Sequence, residues 1–542
     1  MSIFFKKEKH GRKPSRTTGR NGNQGGVARA TGVVSAATLL SRIIGAVRDV
    51  AIASFFGAGM VSDAFVAAFR IPNLLRRMFG EGSLSIAFVP VYSDYYYHRE
   101  RQAADQLVAS AFRALALALS ALALMGMAAA PWLVHLLAPG FADEAETFAL
   151  TVNLTRIMFP YIVCIGLVAM SMGVLNVMGH FAAPALAPVA LNIAMICAMA
   201  LGSCFVASKS GLAYWLAGGV LAGGICQIAL QLPFLIKNGI RFQHHAQWWH
   251  PAFKPILTML GPSLIGAAVY QINGLVITLL ATLQAQGSVS HLYYADRLVQ
   301  FPLGLFGIAA ATAVLPTMTR QAAQQQHEAL QATFSHALRL VFFITLPAMA
   351  GLIVLREPIV SLLFQRGAFG GRDMQLTADA LLYYAIGLWA FAAVRVVLNI
   401  FYAFKDTRTP VRMAVLAVAA NLILGLTLSG PMGYKGLALA LSLASTIHLG
   451  LLAWAAWGKL GPVEWRTITF SLFKSGICAA IMGLCVHALR PWVLPGDAAG
   501  LAVLPGLGVC ILAGAIIFGL LAHAVRSDEL RHALAIALKR TS

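Results

Sequence analysis

Residues 31–90 read TGVVSAATLLSRIIGAVRDVAIASFFGAGMVSDAFVAAFRIPNLLRRMFGEGSLSIAFVP, an apolar stretch interrupted by ionised side chains. Its charged residues are Arg42, Arg48, Asp49, Asp63, Arg70, Arg76, Arg77 and Glu81. A charge in the middle of a bilayer costs several kcal/mol unless it faces a wet cavity or a partner. Five arginines within about two helices therefore indicate a polar interior that handles an anionic group.

The composition of the whole chain places this stretch in a membrane. Of its 542 residues, 59% are hydrophobic and only 11% are charged, and the mean hydropathy is +0.76. A soluble enzyme does not have this composition. Apolar runs long enough to cross a bilayer as a helix recur fourteen times. We expect an all-α polytopic membrane protein, because backbone groups in lipid must bond within their own segment.

The placement of the positive charge predicts the orientation of the chain and argues against a nucleic-acid partner. The net charge is +20, and residues 1–30 hold eight Lys and Arg among Gly, Ser, Thr and Asn. We interpret these residues as a basic, disordered tail in the cytoplasm, and the later basic loops fall on the same side. Both termini are therefore predicted to be cytoplasmic, with an amphipathic helix in the C-terminal tail lying on the inner membrane surface.

An internal repeat divides the chain into two lobes. Residues 41–72 align with residues 271–302 at a constant offset of 230, which places Gly57 on Gly287 and Pro72 on Pro302. Six spans in each half keep both halves in one orientation, so the pseudo-twofold axis should run along the membrane normal. We predict an N-lobe and a C-lobe followed by two additional helices, with the boundaries 31–245, 246–460 and 461–542.

The paired prolines predict a hinge. Pro72 and Pro302 each lie in a helix that leads back to the cytoplasmic side. Proline removes a backbone hydrogen bond, and paired helix breaks in the two halves of a transporter point to its binding site. The alternative is a packing kink, because proline is common in membrane helices.

The intramembrane arginines are the candidate substrate ligands. Arg76 and Arg77 follow Pro72, where we expect the helix to be broken. Paired guanidinium groups bind phosphate in a planar, bidentate geometry that lysine cannot reproduce. Arg42 and Arg48 lie too far inside the first span for both to reach the interface, which favours a cavity for at least one of them. Asp63 is either the N-cap of the second helix or a gate that contacts the other lobe.

Six segments of the sequence resemble those of a known family. The segments SRIIGAVRD, FGAGMVSDAF, RIPNLLRRMFGEGSLSIAFVP, APGFA, YYADRLVQFPLGLFGIA and FYAFKDTRTPV are similar to those of the lipid II flippase family, MurJ/MviN. That family belongs to the multidrug/oligosaccharidyl-lipid/polysaccharide exporter superfamily. The resemblance covers nearly the whole chain after residue 30. It implies two six-helix lobes in a V shape and two C-terminal helices that form a lipid-facing groove.

The resemblance also implies roles for individual residues. The arginines of the family match Arg42, Arg48, Arg76, Arg77 and Arg297, and its gate aspartate matches Asp63. Some members carry a carboxylate three residues after the last arginine, where this chain has Gln300. A protonation switch at that position is therefore excluded here, although Gln300 can still hydrogen-bond to the substrate.

The implied activity is transport of lipid II, the undecaprenyl-pyrophosphoryl disaccharide pentapeptide, to the outer leaflet of the bacterial cytoplasmic membrane by alternating access. No catalytic, metal-ligating or nucleotide-binding motif is present, so we expect no enzyme activity and no cofactor. Energy would come from the membrane potential or an ion gradient, and the partners would be lipid II, membrane lipid and the cell-wall synthesis machinery. The alternative is an exporter of another polyprenyl-linked oligosaccharide or of a drug; drug exporters are expected to favour acidic residues.

Overall fold

The computed structural model describes residues 20–78, 84–240, 247–461, 465–494 and 499–531, and its regular elements are helical. The helices are α1 (Arg20–Phe56), α2 (Met60–Met78), α3 (Leu84–His98), α4 (Arg101–Ala128), α5 (Ala130–Leu137), α6 (Ala145–Met158), α7 (Tyr161–Val177), α8 (Ala182–Phe205), α9 (Lys209–Lys237), α10 (Phe253–Thr282), α11 (Ser288–Pro302), α12 (Ile308–Ala323), α13 (His327–Val354), α14 (Arg356–Phe364), α15 (Gly371–Ile386), α16 (Leu388–Ala403), α17 (Arg408–Met432), α18 (Tyr434–Leu460), α19 (Trp465–Val493) and α20 (Leu504–Ala524).

The predicted class, an all-α polytopic membrane protein, is confirmed. Within the described ranges, ten helical segments are long and apolar enough to cross a membrane, or eleven if α15 and α16 form one span bent by 41°. In the part of the chain that the structure describes, the charged helix α2 is not among them, and only the apolar portion Gln271–Thr282 of α10 is recognised, as a shorter helix. The number of fourteen spans therefore remains a prediction.

The two prolines differ in their effect on the helices. Helix α2 continues through Pro72 to Met78, so the predicted break at this proline is wrong. A proline removes only one backbone bond, and the turns on either side of Pro72 maintain the helix. Pro302 ends α11 and is followed by a π-helical turn, Leu303–Gly307. Single π turns inside helices are frequent at functional sites.

The predicted N-terminal tail overlaps with the first helix. Helix α1 begins at Arg20, so residues 20–30 are helical where we expected disordered chain. Extending an existing helix adds one backbone hydrogen bond per residue without a new nucleation step. Residues 1–19, Glu81 and residues 532–542 of the predicted amphipathic tail lie outside the described residues.

The aligned halves of the sequence have corresponding structures. Gly57 and Gly287, which the repeat superimposes, both adopt left-handed backbone conformations, with φ of +70° and +90°. Each lies just before the helix that carries its proline, α2 or α11. Left-handed conformations favour glycine because it has no Cβ. Following the predicted division, we name α1–α9 the N-lobe and α10–α18 the C-lobe, and we call the end of the molecule between α1 and α2 the Asp63 face.

The last two helices pack on the C-lobe. Residues of α13, α16, α19 and α20 share one buried apolar cluster. Beyond α20, Glu529 is only 4% exposed. Its carboxylate accepts hydrogen bonds from Arg339 Nε at 2.6 Å and from Ser471 Oγ at 2.8 Å. Glu529 therefore joins α13 to α19 at the end of the molecule opposite the Asp63 face.

The Glu529 contacts predict a pH-dependent stability. Desolvation would raise the pKa of Glu529, but the hydrogen bonds from Ser527 and Ser471 and the charge of Arg339 outweigh it and lower the pKa from 4.5 to about 2. A depressed carboxyl pKa stabilises the fold above pH 4.5, and this stabilisation is lost as the pH falls toward 2. We expect Glu529→Gln to lower the melting temperature by several degrees at pH 7, with the difference narrowing below pH 4.5.

Thermal unfolding of the purified protein between pH 7 and pH 3 measures this difference. Asp528→Asn is the matched control, because the Asp528 side chain is 62% exposed and exposed ion pairs contribute little to stability. A difference in melting temperature between the wild-type protein and Glu529→Gln that stays constant with pH would contradict the prediction.

Candidate functional site

A cavity of about 180 Å³ lies between the two lobes. Helix α2 supplies its N-lobe wall, and helices α10 and α11 supply most of its C-lobe wall. Its charged lining residues are Arg70, Arg77, Asp296 and Arg297. Its side-chain amides come from Asn73, Gln271, Asn273 and Gln300. The cavity surface is thus polar although apolar helices surround it.

Asp49 connects the two lobes beside this cavity. It is 5% exposed and pairs with its neighbour Arg48 through a 2.7 Å contact. From the C-lobe, Arg297 Nε lies 3.3 Å from the same carboxylate, and the Tyr293 hydroxyl donates a 3.0 Å hydrogen bond to it. Arg297 also stacks over the Tyr293 ring at 4.8 Å. One buried carboxylate therefore holds two guanidinium groups, one from each lobe.

Asn192 positions Arg48, and sequence reasoning missed it. The Arg48 Nη1 group donates to Asn192 Oδ1 at 2.8 Å, from α1 to α8. Asn192 is 6% exposed. A buried amide in an apolar helix such as α8 requires hydrogen-bond partners. For this reason the asparagine in this apolar segment could have been recognised in the sequence as a residue with a polar partner.

Arg70 is not among the predicted substrate ligands, but it lines the cavity. Its Nε donates to Thr278 Oγ1 at 2.8 Å and its Nη2 to the Gly274 carbonyl at 3.0 Å, both on α10 of the other lobe. Small residues at 274 and 278 leave room for this arginine. The repeat could not reveal this contact, because it forms between the lobes.

The other predicted arginines lie at different depths. Arg77 lines the cavity. Arg76 is half-buried and donates from Nε to Asn73 Oδ1 at 3.1 Å. The Arg42 guanidinium packs against Gly304 in the π-helical turn, where a Cβ atom would overlap it. The structure therefore brings Arg48 and Arg297 together at Asp49, places Arg77 and Arg297 in the lining of one cavity, and sets Arg42 against the π-helical turn of the C-lobe.

Gln300 lies in the cavity wall, as does the carboxylate of Asp296 one helical turn earlier. The amide of Gln300 donates to Asp296 Oδ2. The chain therefore retains a carboxylate in this part of the cavity, although not at position 300. Gln300 fixes the orientation of that carboxylate.

Asp63 joins the lobes at the face named after it. The side chain is 2% exposed and accepts hydrogen bonds from the backbone of Gly287 at 2.6 Å and of Ser290 at 2.8 Å. The Ser290 hydroxyl donates a third bond at 2.6 Å. These amides belong to the first turn of α11, whose partial positive charge favours an anion. Asp63 thus caps a helix of the opposite lobe instead of its own helix.

A second contact closes the same face. The carbonyl of Ser54, near the end of α1, accepts a 2.7 Å hydrogen bond from Ala368 N of the C-lobe. The Ala58 amide donates to Asp373 Oδ2 at 3.3 Å. At Gly57, a Cβ atom would lie 2.6 Å from the Ala368 carbonyl oxygen. The end of α1 therefore fits against the C-lobe only because residue 57 is glycine.

This close approach predicts a strong effect of Gly57→Ala. The side chain would be strained at φ +70° and would clash with the backbone of the other lobe. A left-handed conformation costs a non-glycine residue about 1–2 kcal/mol, so we expect the closed arrangement to lose roughly tenfold or more in population. Reaction of a cysteine introduced at Leu292, in the cavity wall, with an impermeant thiol reagent measures this opening.

Gly59→Ala is the matched control for this measurement. Its added Cβ would have no neighbour within 4 Å, and its φ is not positive. Equal thiol reactivity in the Gly57 and Gly59 variants would show that the contact does not hold the face closed.

Within the described ranges, no group of three or more His, Cys, Asp or Glu side chains is arranged to hold a metal ion. The site therefore consists of guanidinium, carboxylate and amide groups. Such groups bind and orient an anionic ligand.

The fold and the charged inter-lobe cavity define a multi-pass helical membrane transport protein. Residues 52–495 match the family described as "Lipid II flippase MurJ". The chain belongs to this family, and it is accordingly a transporter and not a catalytic enzyme.

Individual relatives agree with this assignment. A probable lipid II flippase MurJ of Vibrio cholerae is 39% identical over 78% of this chain and 81% of its own length. The lipid II flippase MurJ of Burkholderia cenocepacia is 36% identical over 78% of this chain and 82% of its own length.

Solved structures share the fold. A lipid II flippase MurJ in an inward closed conformation superimposes with a TM-score of 0.76 at 28% identity, over 91% of this chain and 99% of that one. An inward-facing multidrug resistance MATE family transporter of the MOP superfamily gives a TM-score of 0.66 at 14% identity, over 80% and 98% of the chains. The similarity to the MATE family transporter concerns the fold alone.

Proposed function

We propose that this protein flips lipid II from the inner to the outer leaflet of the bacterial cytoplasmic membrane by alternating access. Five arginines bind the pyrophosphate, namely Arg42, Arg48, Arg76, Arg77 and Arg297, and Gln300 hydrogen-bonds to the head group. The observation that carries the proposal is the buried cluster in which Arg48 and Arg297, from opposite lobes, share Asp49.

The charge of the cavity favours an anionic substrate. Three arginines and one aspartate line it. A cavity with an excess of guanidinium groups attracts phosphate and repels a cationic drug. Pyrophosphate would compete with Asp49 for the two arginines and so couple binding to movement of the lobes.

The size of the cavity supports a change of conformation. Drug-sized ligands occupy pockets of roughly 300–1,000 Å³, whereas this cavity measures about 180 Å³. A disaccharide pentapeptide is larger than most drugs, so the lobes must separate before the head group enters.

The Asp63 face is assigned to the outside. The loops at the opposite end contain most of the Lys and Arg residues, and such loops remain in the cytoplasm. This orientation gives cytoplasmic termini and an outer gate made by Asp63. Pro302 and its π-helical turn, with Pro72, form the hinge region that bends as the gate opens.

The membrane potential or an ion gradient supplies the energy. The cavity arginines experience the transmembrane field, in which one elementary charge is worth about 2.3 kcal/mol per 100 mV. Leaflet assays under an imposed potential or an imposed ion gradient separate these two sources.

Depletion of the protein in cells that carry labelled lipid II tests the function. We expect the precursor to accumulate in the inner leaflet and to return to the outer leaflet when the protein is restored. An unchanged distribution between leaflets would reject lipid II as the substrate. Accumulation of a different polyprenyl-linked oligosaccharide in the same experiment would favour the alternative exporter function.

A further inference from the structure

In each lobe a buried asparagine holds a side chain of a neighbouring helix. In the N-lobe, Asn192 of α8 accepts the hydrogen bond of Arg48 on α1. In the C-lobe, Asn421 of α17 is 1% exposed and donates to Asn273 Oδ1 of α10 at 2.9 Å. Positions 192 and 421 differ by 229, which is one residue from the offset of the repeat. The two asparagines thus lie at similar, although not identical, positions of the two lobes and have different partners.

The side chain that the C-lobe asparagine, Asn421, holds is neutral. Asn421 holds an amide, whereas Asn192 holds a guanidinium. From Gln271 to Thr282 the sequence QINGLVITLLAT contains no charged residue. Two of its amides, Gln271 and Asn273, line the cavity. Helix α10 therefore contributes amide groups but no charge of its own to the cavity, and the arginines of α2 face it.

The contact with Asn421 fixes which atoms Asn273 offers to a ligand. Its Oδ1 accepts from Asn421, so its Nδ2 group is the part left to donate toward the cavity. An amide N–H group donates well to carbonyl and hydroxyl oxygens and lacks the charge that pyrophosphate prefers. A held amide also loses less conformational freedom on binding than a free one.

We propose that Gln271 and Asn273 form a second subsite that binds the uncharged, carbonyl-bearing part of the head group, namely its acetamido sugars or peptide amides. Asn421 is a positioning residue, because it acts by orienting Asn273. This inference rests on the proposed function, in which the arginines hold the pyrophosphate. It divides recognition of one ligand between the arginines of both lobes, which bind the charge, and the α10 wall of the C-lobe, which binds the glycopeptide.

Two lipids distinguish this subsite from the pyrophosphate site. Binding of lipid II and of undecaprenyl pyrophosphate, which lacks the glycopeptide, is measured on the purified full-length protein. We expect Asn273→Ala to weaken lipid II binding roughly tenfold, the size expected for one hydrogen bond, and to leave undecaprenyl pyrophosphate binding unchanged. Asn421→Ala should give the same selective loss, whereas Arg297→Ala should weaken the binding of both lipids.

Asn153→Ala is the matched control, because its exposed side chain lies on α6 away from the cavity. If Asn273→Ala leaves lipid II binding unchanged, or weakens both lipids equally, the subsite is rejected while the pyrophosphate site stands. If the wild-type protein binds neither lipid, the proposed function fails, and this inference fails with it.

Discussion

Replacing Arg297 with alanine is expected to abolish lipid II flipping. The substitution removes the C-lobe guanidinium that lies 3.3 Å from Asp49 and leaves this buried carboxylate to Arg48 alone. Truncating one partner of a buried charge pair typically costs about 2–5 kcal/mol, which corresponds to a rate loss on the order of 100-fold. Flipping of labelled lipid II in vesicles that contain the purified protein measures this loss.

Two further variants make the Arg297 result specific. Arg297→Lys keeps the charge but loses the planar fork that binds pyrophosphate, so we expect an intermediate rate. Arg156→Ala removes an exposed arginine from α6 and should flip at the wild-type rate. Wild-type flipping by Arg297→Ala, at normal amounts in the membrane, would reject the cationic cavity as the binding site.

Asp63→Ala is expected to open the outer gate and to stop transport. The three hydrogen bonds that Asp63 accepts from Gly287 and Ser290 would be lost together. Hydrogen bonds to charged groups contribute about 1.5–3 kcal/mol each. Loss of even one of them would shift the closed state toward the open state by on the order of 10–100-fold.

The reactivity of a cysteine at Leu292, in the cavity wall, reports the state of this gate. The background is a chain whose exposed cysteines, Cys197, Cys204, Cys226 and Cys485, are changed to serine. We expect labelling from the outside to increase in Asp63→Ala and to stay low in Glu146→Ala, which removes an exposed carboxylate on the same face. Low labelling of both variants would show that the gate does not depend on Asp63.

Much of the site could be predicted because charges are rare in apolar helices. Arg48, Arg77 and Arg297 stand out for this reason: Arg48 and Arg297 meet at Asp49, and Arg77 lines the cavity with Arg297. The contacts of Arg70 could not be predicted, because Thr278 and the Gly274 carbonyl, which accept its hydrogen bonds, are more than 200 residues away in the sequence. The break expected at Pro72 did not occur, because the effect of one proline depends on the packing around its helix.

By itself the sequence determined the helical membrane fold, the expectation of two lobes and the presence of arginines that need a polar cavity. These properties depend on composition and local order, since lipid requires helices and a costly charge requires a polar cavity. Only the tertiary structure decided which charges meet across the lobes, as with Asp49 and Arg297, or Asp63 and the first turn of α11. It also decided that Asn421 holds Asn273. Partners separated by more than 100 residues are selected by helix packing, which periodicity along the chain does not encode.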